Sequence, residues 1–308
     1  MKALILFLVL IPGLVGQAQE KVYAVPSLNL LNINPSFAGS SGGLRLQAAG
    51  SGIDMSNVGP GTYTLYNGYF SADTYLNKIK GGLGLSYNIS NGPQNTFNQN
   101  VSAVYAQHIG FFKNELKLVP SVKVDYYNNY FYWTNYWGVA SPPVNYYYGR
   151  AGAGLLLSYR GLYAGFYGAS AFVYSNNVKG TSAYAKSLIR TYVSQNVKIG
   201  EAFGFNLSAL FGNYYYVNYW PPVQSFQLAL DIKIFKHFTI GAGFMEDHNY
   251  FMSAGFKNKY VNTRLVYIPT NRLKNHDGGI YMNEVQVAAS TTLCKKERAV
   301  TPRDFETW

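Results

Sequence analysis

The stretch Ser225–Lys236, SFQLALDIKIFK, constrains the chain more than any other. Phe226, Leu228, Leu230, Ile232 and Ile234 are apolar, Ser225, Gln227, Asp231 and Lys233 between them are polar or charged, and only Ala229 is neutral to the pattern. Successive side chains of a β-strand point to opposite faces, so period two makes one face greasy and gives the other ions. A helix would spread both sets around its circumference. Which solvent the greasy face meets then decides the fold.

Similar strands recur. Gly82–Ser90 sets Leu83, Leu85, Tyr87 and Ile89 against Gly84, Ser86, Asn88 and Ser90, and Phe203–Phe211 repeats the scheme. Alternation bounded by turn residues adds Leu44–Ala48, Gly61–Ala72, Thr96–Phe111, Glu115–Tyr127, Arg150–Tyr159, Leu162–Tyr174, Ile189–Ile199, Phe238–Met245, Tyr250–Lys257, Tyr260–Ile268 and Ile280–Ala289. The total is about fourteen, an even number, as single-chain outer-membrane barrels require.

The connections carry the same message. If the first strand runs outward, turns after even-numbered strands are periplasmic and short, and they read Lys113-Asn114, Arg160-Gly161, Gly200–Ala202, Lys236-His237 and Asn258-Lys259, with Asp73–Lys80 longer. The other set holds the long segments Asn128–Gly149, Ser175–Leu188, Asn213–Gln224 and Pro269–Gly279. A soluble β-sandwich also alternates, but it has no reason to alternate short and long connections.

Composition separates the two solvents further. Charged residues make up 13% and aromatics 17%, with 29 Tyr and 31 Gly, whereas soluble domains carry roughly 25% charged residues. A sandwich would need far more charge on its outer face. The fold class expected is therefore all-β, a transmembrane antiparallel β-barrel of about fourteen strands with short periplasmic turns and long extracellular loops, its greasy face on lipid and its polar face lining the lumen. The net charge of +11 is dispersed along the chain, which argues against nucleic acid as a partner and suits an envelope rich in anionic lipid.

Met1–Ala18 reads as a secretory signal: Lys2, the apolar run Ala3–Leu10, then Gly16-Gln17-Ala18, with Gln19 as the first mature residue. No later run of about eighteen apolar residues suggests a membrane helix. Cys294 is the one cysteine, so neither an internal disulfide nor a cysteine-based zinc site is expected.

Asn34-Pro35 opens a turn, and Gly39–Gly43 is a flexible entry to the first strand. Here NINPSFAGSSGGLRL resembles the N-terminal signature of the PorP/SprF family, outer-membrane proteins of the type IX secretion system, and the resemblance extends over the mature chain to a basic tail at Thr301-Pro302-Arg303. The resemblance implies partners: components of the type IX machinery, and a secreted adhesin-type cargo with a type B C-terminal domain, in gliding and adhesion. Other members belong to the core apparatus. A reading from another class is a porin-like diffusion channel. The expected organisation is a signal peptide at 1–18, a periplasmic lead-in at 19–42, the barrel at 43–291 and a basic tail at 292–308, located in the outer membrane.

Two groups of residues are candidate sites. Tyr130, Trp133, Tyr136 and Trp137 precede Pro142-Pro143, and Tyr215, Tyr219 and Trp220 precede Pro221-Pro222; rigid aromatics with a polar handle favour a cargo-binding surface, against the plainer reading of an interfacial girdle. Arg45, Lys117, Lys123, Asp125, Asp231, Lys233, Arg264 and Glu284 fall on lumen positions, where ion pairs filling a closed barrel are favoured over a conducting pore. His108, His237, His248 and His276 share no metal-ligand spacing, Glu246-Asp247-His248 reads as a hairpin tip, and Gly149–Gly154 lacks the strand-to-helix setting of a phosphate loop. Neither a cofactor nor a catalytic arrangement is expected.

Overall fold

The computed structural model of the chain describes residues 23, 25, 29–54, 64–92, 96–131, 144–174, 185–200, 202–216, 223–235, 237–245, 249–258, 260–273 and 280–293. Among these residues fifteen strands follow one another: β1 (Leu44–Asp54), β2 (Thr64–Leu76), β3 (Gly81–Gly92), β4 (Thr96–Gln107), β5 (Ile109–Phe111), β6 (Leu116–Phe131), β7 (Val144–Tyr159), β8 (Leu162–Tyr174), β9 (Ala185–Ile199), β10 (Phe203–Tyr216), β11 (Val223–Ile234), β12 (Phe238–Met245), β13 (Asn249–Lys257), β14 (Asn262–Leu273) and β15 (Ile280–Leu293).

Every strand pairs antiparallel with its neighbours, and β1 pairs with β15, so the sheet closes on itself. β4 and β5 both pair with β6 in one register, Ala106 opposite Ser121 and Ile109 opposite Leu118. They form a single stave broken at Gln107–His108. There β6 brings Pro120, which has no N–H to give, while the His108 N–H bonds the Lys80 carbonyl on the other side at 3.0 Å. The result is a closed barrel of fourteen staves.

The facing follows the alternation. On β11, Leu230 and Ile232 are 42% and 40% exposed, whereas Gln227 and Asp231 are 3% and 4% exposed. A soluble protein would bury the first pair. Here the apolar side chains form the outer surface and the polar ones the interior, the arrangement that lipid outside and a filled lumen inside demand.

Several strands run past their expected ends. β1 continues to Asp54 and β2 to Leu76, which moves Asp73 from an expected turn into the wall. β6 reaches Phe131 and β7 starts at Val144, so the connection expected at Asn128–Gly149 contracts to 132–143. Alternation failed to mark these ends because tyrosine occupies both faces. Tyr126 and Tyr147 stack outside with ring centroids 6.4 Å apart, and Tyr127 and Tyr148 stack inside at 4.4 Å. At the C-terminal end Thr292 and Leu293, assigned by sequence to the basic tail, complete β15 and pair with Arg45 and Leu44.

Candidate functional site

Sequence analysis put 19–42 ahead of the barrel as a periplasmic lead-in. Its described residues, 23, 25 and 29–42, are packed inside the wall, and all but the half-buried Asn32 are buried. Leu30–Ile33 form one turn of helix, α1, and Pro35–Phe37 a 3-10 turn. Asn34 separates them in extended conformation (φ −152°, ψ 122°), and its Oδ1 accepts the Ser36 N–H at 2.9 Å while Pro35 stands at the first helical position. Gly39 and Gly42 take positive φ, 73° and 72°, to turn the segment into β1.

Two apolar layers hold this core. Leu30, Leu31, Ile33, Phe37 and Ala38 cluster with Val104, Ala106, Val119, Leu156, Tyr163, Tyr192 and Leu210 from the wall, and the Phe37 and Tyr192 rings meet edge-on at 5.8 Å. Nearer the long connections, Tyr23 and Val25 cluster with Ala49, Tyr69, Ala229, Phe251, Val266, Ile268 and Ala288.

Glycines in the wall make the approach possible. A Cβ on Gly82 would sink into the Ala38 carbonyl, one on Gly84 would lie 3.0 Å from Leu31, and ones on Gly154 and Gly165 would each lie 2.7 Å from the Asn34 amide. This is the reason for Gly154 in the run Gly149–Gly154, which sequence reading could explain only as small residues in a strand.

Polar contacts then fix the segment, mostly through its own carbonyls. The Asn34 Nδ2 donates to the Leu155 and Phe166 carbonyls at 3.2 and 3.1 Å. His108 Nε2 bonds the Ala38 carbonyl at 2.8 Å, Arg45 donates to the Phe37 carbonyl at 3.0 Å, Arg190 donates to the Asn32 carbonyl, and Gln227 donates to the Tyr23 carbonyl at 3.2 Å. Ser36 and Ser121 share a hydroxyl contact of 2.8 Å, and Lys123 Nζ donates to Asn32 Oδ1 at 3.1 Å.

Arg45, Lys123, Arg150 and Arg264 each meet a buried carboxylate of the lumen. Arg45 Nε bonds Asp73 Oδ2 at 2.8 Å, and the other carboxylate oxygen of Asp73 accepts the Gly39 N–H at 2.7 Å. Asp125 stands between Lys123 at 3.1 Å and Arg150 at 3.0 Å. Arg264 on β14 pairs with Asp231 on β11, crossing Ser253 on β13 and Gly241 on β12, where a side chain would obstruct it. Glu284 accepts from Gln286 at 2.8 Å. Lys117 is buried and Lys233 half-buried on the same inner face.

Arg45, Lys117, Lys123, Asp125, Asp231, Lys233, Arg264 and Glu284, read from the sequence as lumen charges, are buried or half-buried, and Asp73, Arg150, Arg190 and His108, which sequence reading did not count among them, are buried as well. Inward parity at Arg150 and Arg190 was readable, since both alternate with apolar or small neighbours. Of the aromatic candidates, Tyr130 lies in β6 opposite Asn145 and Tyr215 in β10 opposite Ser187. Trp133, Tyr136, Trp137, Tyr219 and Trp220 lie outside the described residues, as do the signal at 1–18 and the chain beyond 293.

Comparison with known proteins agrees with this architecture. The family described as type IX secretion system membrane protein PorP/SprF matches residues 16–282. No curated protein sequence matches the chain. Among solved structures, the CymD monoaromatic hydrocarbon channel superposes with a TM-score of 0.54 at 9% identity over 89% of this chain and 94% of that one. The Ralstonia pickettii toluene transporter TbuX gives 0.52 at 9% identity over 88% and 94%, and a Pseudomonas aeruginosa FadL homologue 0.51 at 10% over 92% and 96%. At such identities the likeness is one of fold, that of outer-membrane β-barrels.

Proposed function

The chain belongs to the PorP/SprF family of type IX secretion system membrane proteins, and from that premise we propose that it is the outer-membrane partner that assists secretion and surface anchoring of one large adhesin-type cargo, gripping the cargo's type B C-terminal domain. The signal at Met1–Ala18 delivers it to the envelope, and the long connections face the cell surface, where Trp133, Trp137 and Trp220 meet the cargo.

One observation favours this reading over a diffusion channel: the lumen is filled by the chain's own segment 29–43, held on a glycine cradle and by buried ion pairs. A barrel filled in this way works through its ends. Aromatic, proline-stiffened connections at one end suit a protein partner, because a few large rings carry most of the energy of an interface.

The test is the double substitution Trp137→Ala with Trp220→Ala. Truncating a buried interfacial Trp costs at least about 2 kcal/mol, roughly thirtyfold in affinity, so the barrel should assemble while the adhesin appears in the medium. Cargo held at the surface at wild-type levels would move the binding site elsewhere. Deleting the whole gene separates the neighbouring reading: loss of one cargo supports the anchoring role, and loss of all type IX secretion supports a core-apparatus role.

A further inference from the structure

Sequence order scatters the basic residues, but the topology gathers them. Counting each connection with two strand residues on either side, the six short turns carry ten Lys or Arg against Glu115 and Glu201, while the seven other connections carry four against four acidic residues. Of the short-turn set, Lys117 and Lys233 face the lumen, and the remaining eight basic residues against two acidic ones leave this rim strongly positive.

Each short turn also sets a cation beside a large apolar residue. Ile79 stands between Lys78 and Lys80, Tyr159 precedes Arg160, Ile199 follows Lys198, and the sequence repeats the pairing at Phe112-Lys113, Phe235-Lys236 and Lys259-Tyr260. Among the described side chains Lys78, Lys80, Arg160 and Lys198 are exposed, and the apolar partners are exposed too, Phe112 to 77% and Phe235 to 65%. Both phenylalanines hold positive φ, 49° and 51°, a left-handed conformation that is costly for a bulky side chain.

We propose that this rim is a binding collar for the headgroups of anionic phospholipids in the leaflet around the short turns. The apolar member of each pair continues the lipid-facing surface and sits at the acyl boundary, and the cation beside it lies at the depth of the phosphates, its aliphatic stem along the bilayer edge. A soluble acidic partner would need the cations but not the exposed rings beside them. Arg160 is partly neutralised by Glu115 at 2.9 Å, so the lysines carry the attraction, each contributing about fivefold in affinity near an anionic surface.

The test uses the full barrel in nanodiscs of phosphatidylcholine mixed with phosphatidylglycerol, reading retained lipid by native mass spectrometry. Phosphatidylglycerol should be retained at least tenfold over phosphatidylcholine, and Lys78→Gln, Lys80→Gln, Lys198→Gln and Lys259→Gln combined should abolish that preference. Lys179→Gln with Lys186→Gln and Lys274→Gln, at the opposite end, should leave it unchanged. Equal retention of the two lipids by the wild type, an unaltered preference in the fourfold variant, or an equal loss in the opposite-end variant would each overturn the collar. Should the fourfold variant not assemble, the wild type decides: raising salt from about 0.1 M to about 0.5 M must erode the preference, since exposed charges are screened over that range, and a preference indifferent to salt overturns it.

Discussion

The carbonyl of Ala38 rests directly on Gly82, so close that any side chain at that position of β3 would occupy the oxygen's place. The same oxygen accepts from His108 Nε2 at 2.8 Å, so the contact and the hydrogen bond stand or fall together.

Gly82→Ala should therefore lift the 3-10 turn off the wall and break the His108 bond, with a loss of about 1–3 kcal/mol, the usual range for overpacking. Gly52→Ala is the control, since a Cβ there meets nothing within 4 Å. Urea-induced unfolding in detergent or lipid, read by heat-modifiable migration on gels, compares the two. Equal stability of both variants would mean that the segment is not seated on β3 as described.

That contact also marks how far the sequence was readable. Alternation in Ser225–Lys236 and Gly82–Ser90 showed which face was greasy, and the short turns showed the strand order, because both signals are local. The interior was not local. Ala38 and Gly82, or Asn34 and Gly165, meet only in the folded barrel, and nothing in NINPSFAGSSGG announces that its amides and carbonyls will be satisfied by wall residues up to 158 positions away. Asp73 was lost for a simpler reason. Its strand alternates poorly, with Tyr66, Tyr69 and Phe70 on both faces, so its last turn looked like a loop.

Asp125 balances two cations where Asp73 balances one. Removing one partner of a buried ion pair costs roughly 3–5 kcal/mol because the other charge is left uncompensated. Asp125→Asn strands both Lys123 and Arg150 and should destabilise more than Asp73→Asn, which strands Arg45 alone. Replacing Asp125 and Arg150 together by Leu and Met should recover part of the loss. The unfolding midpoints of the three variants decide, and an Asp125→Asn midpoint at or above that of Asp73→Asn would show that the triad is not held as a unit.

Ile232 and Gln227 lie on opposite faces of β11. Ile232→Arg should impair insertion into bilayers, by less than the roughly 2–4 kcal/mol of a guanidinium at the midplane because Ile232 lies near the short-turn end of β11, while Ile232→Leu should insert normally. Gln227→Arg will also be damaging, for a different reason: its amide holds the Tyr23 carbonyl at 3.2 Å in a packed interior. The two failures separate by solvent. Gln227→Arg should be weakened equally in detergent and in lipid, and Ile232→Arg chiefly in lipid. Identical behaviour in both media would remove the facing assignment.

The filled lumen sets the electrical behaviour. Purified wild-type protein should give little conductance in planar bilayers, because the segment 29–43 occupies the interior with Leu31 and Phe37 fully buried. Leu31→Ala with Phe37→Ala removes two buried anchors, each worth about 2–5 kcal/mol, and should turn the silent barrel into one with frequent openings. Ser36 and Ser121 allow the converse experiment, since their hydroxyls lie 2.8 Å apart. Ser36→Cys with Ser121→Cys, in a Cys294→Ser background, should cross-link under mild oxidation and silence the openings of the loosened variant, with reduction restoring them. Large, steady channels from the wild type, or a cysteine pair that does not cross-link in the folded barrel, would mean that the segment does not reside in the lumen and that the channel reading has to be taken up again.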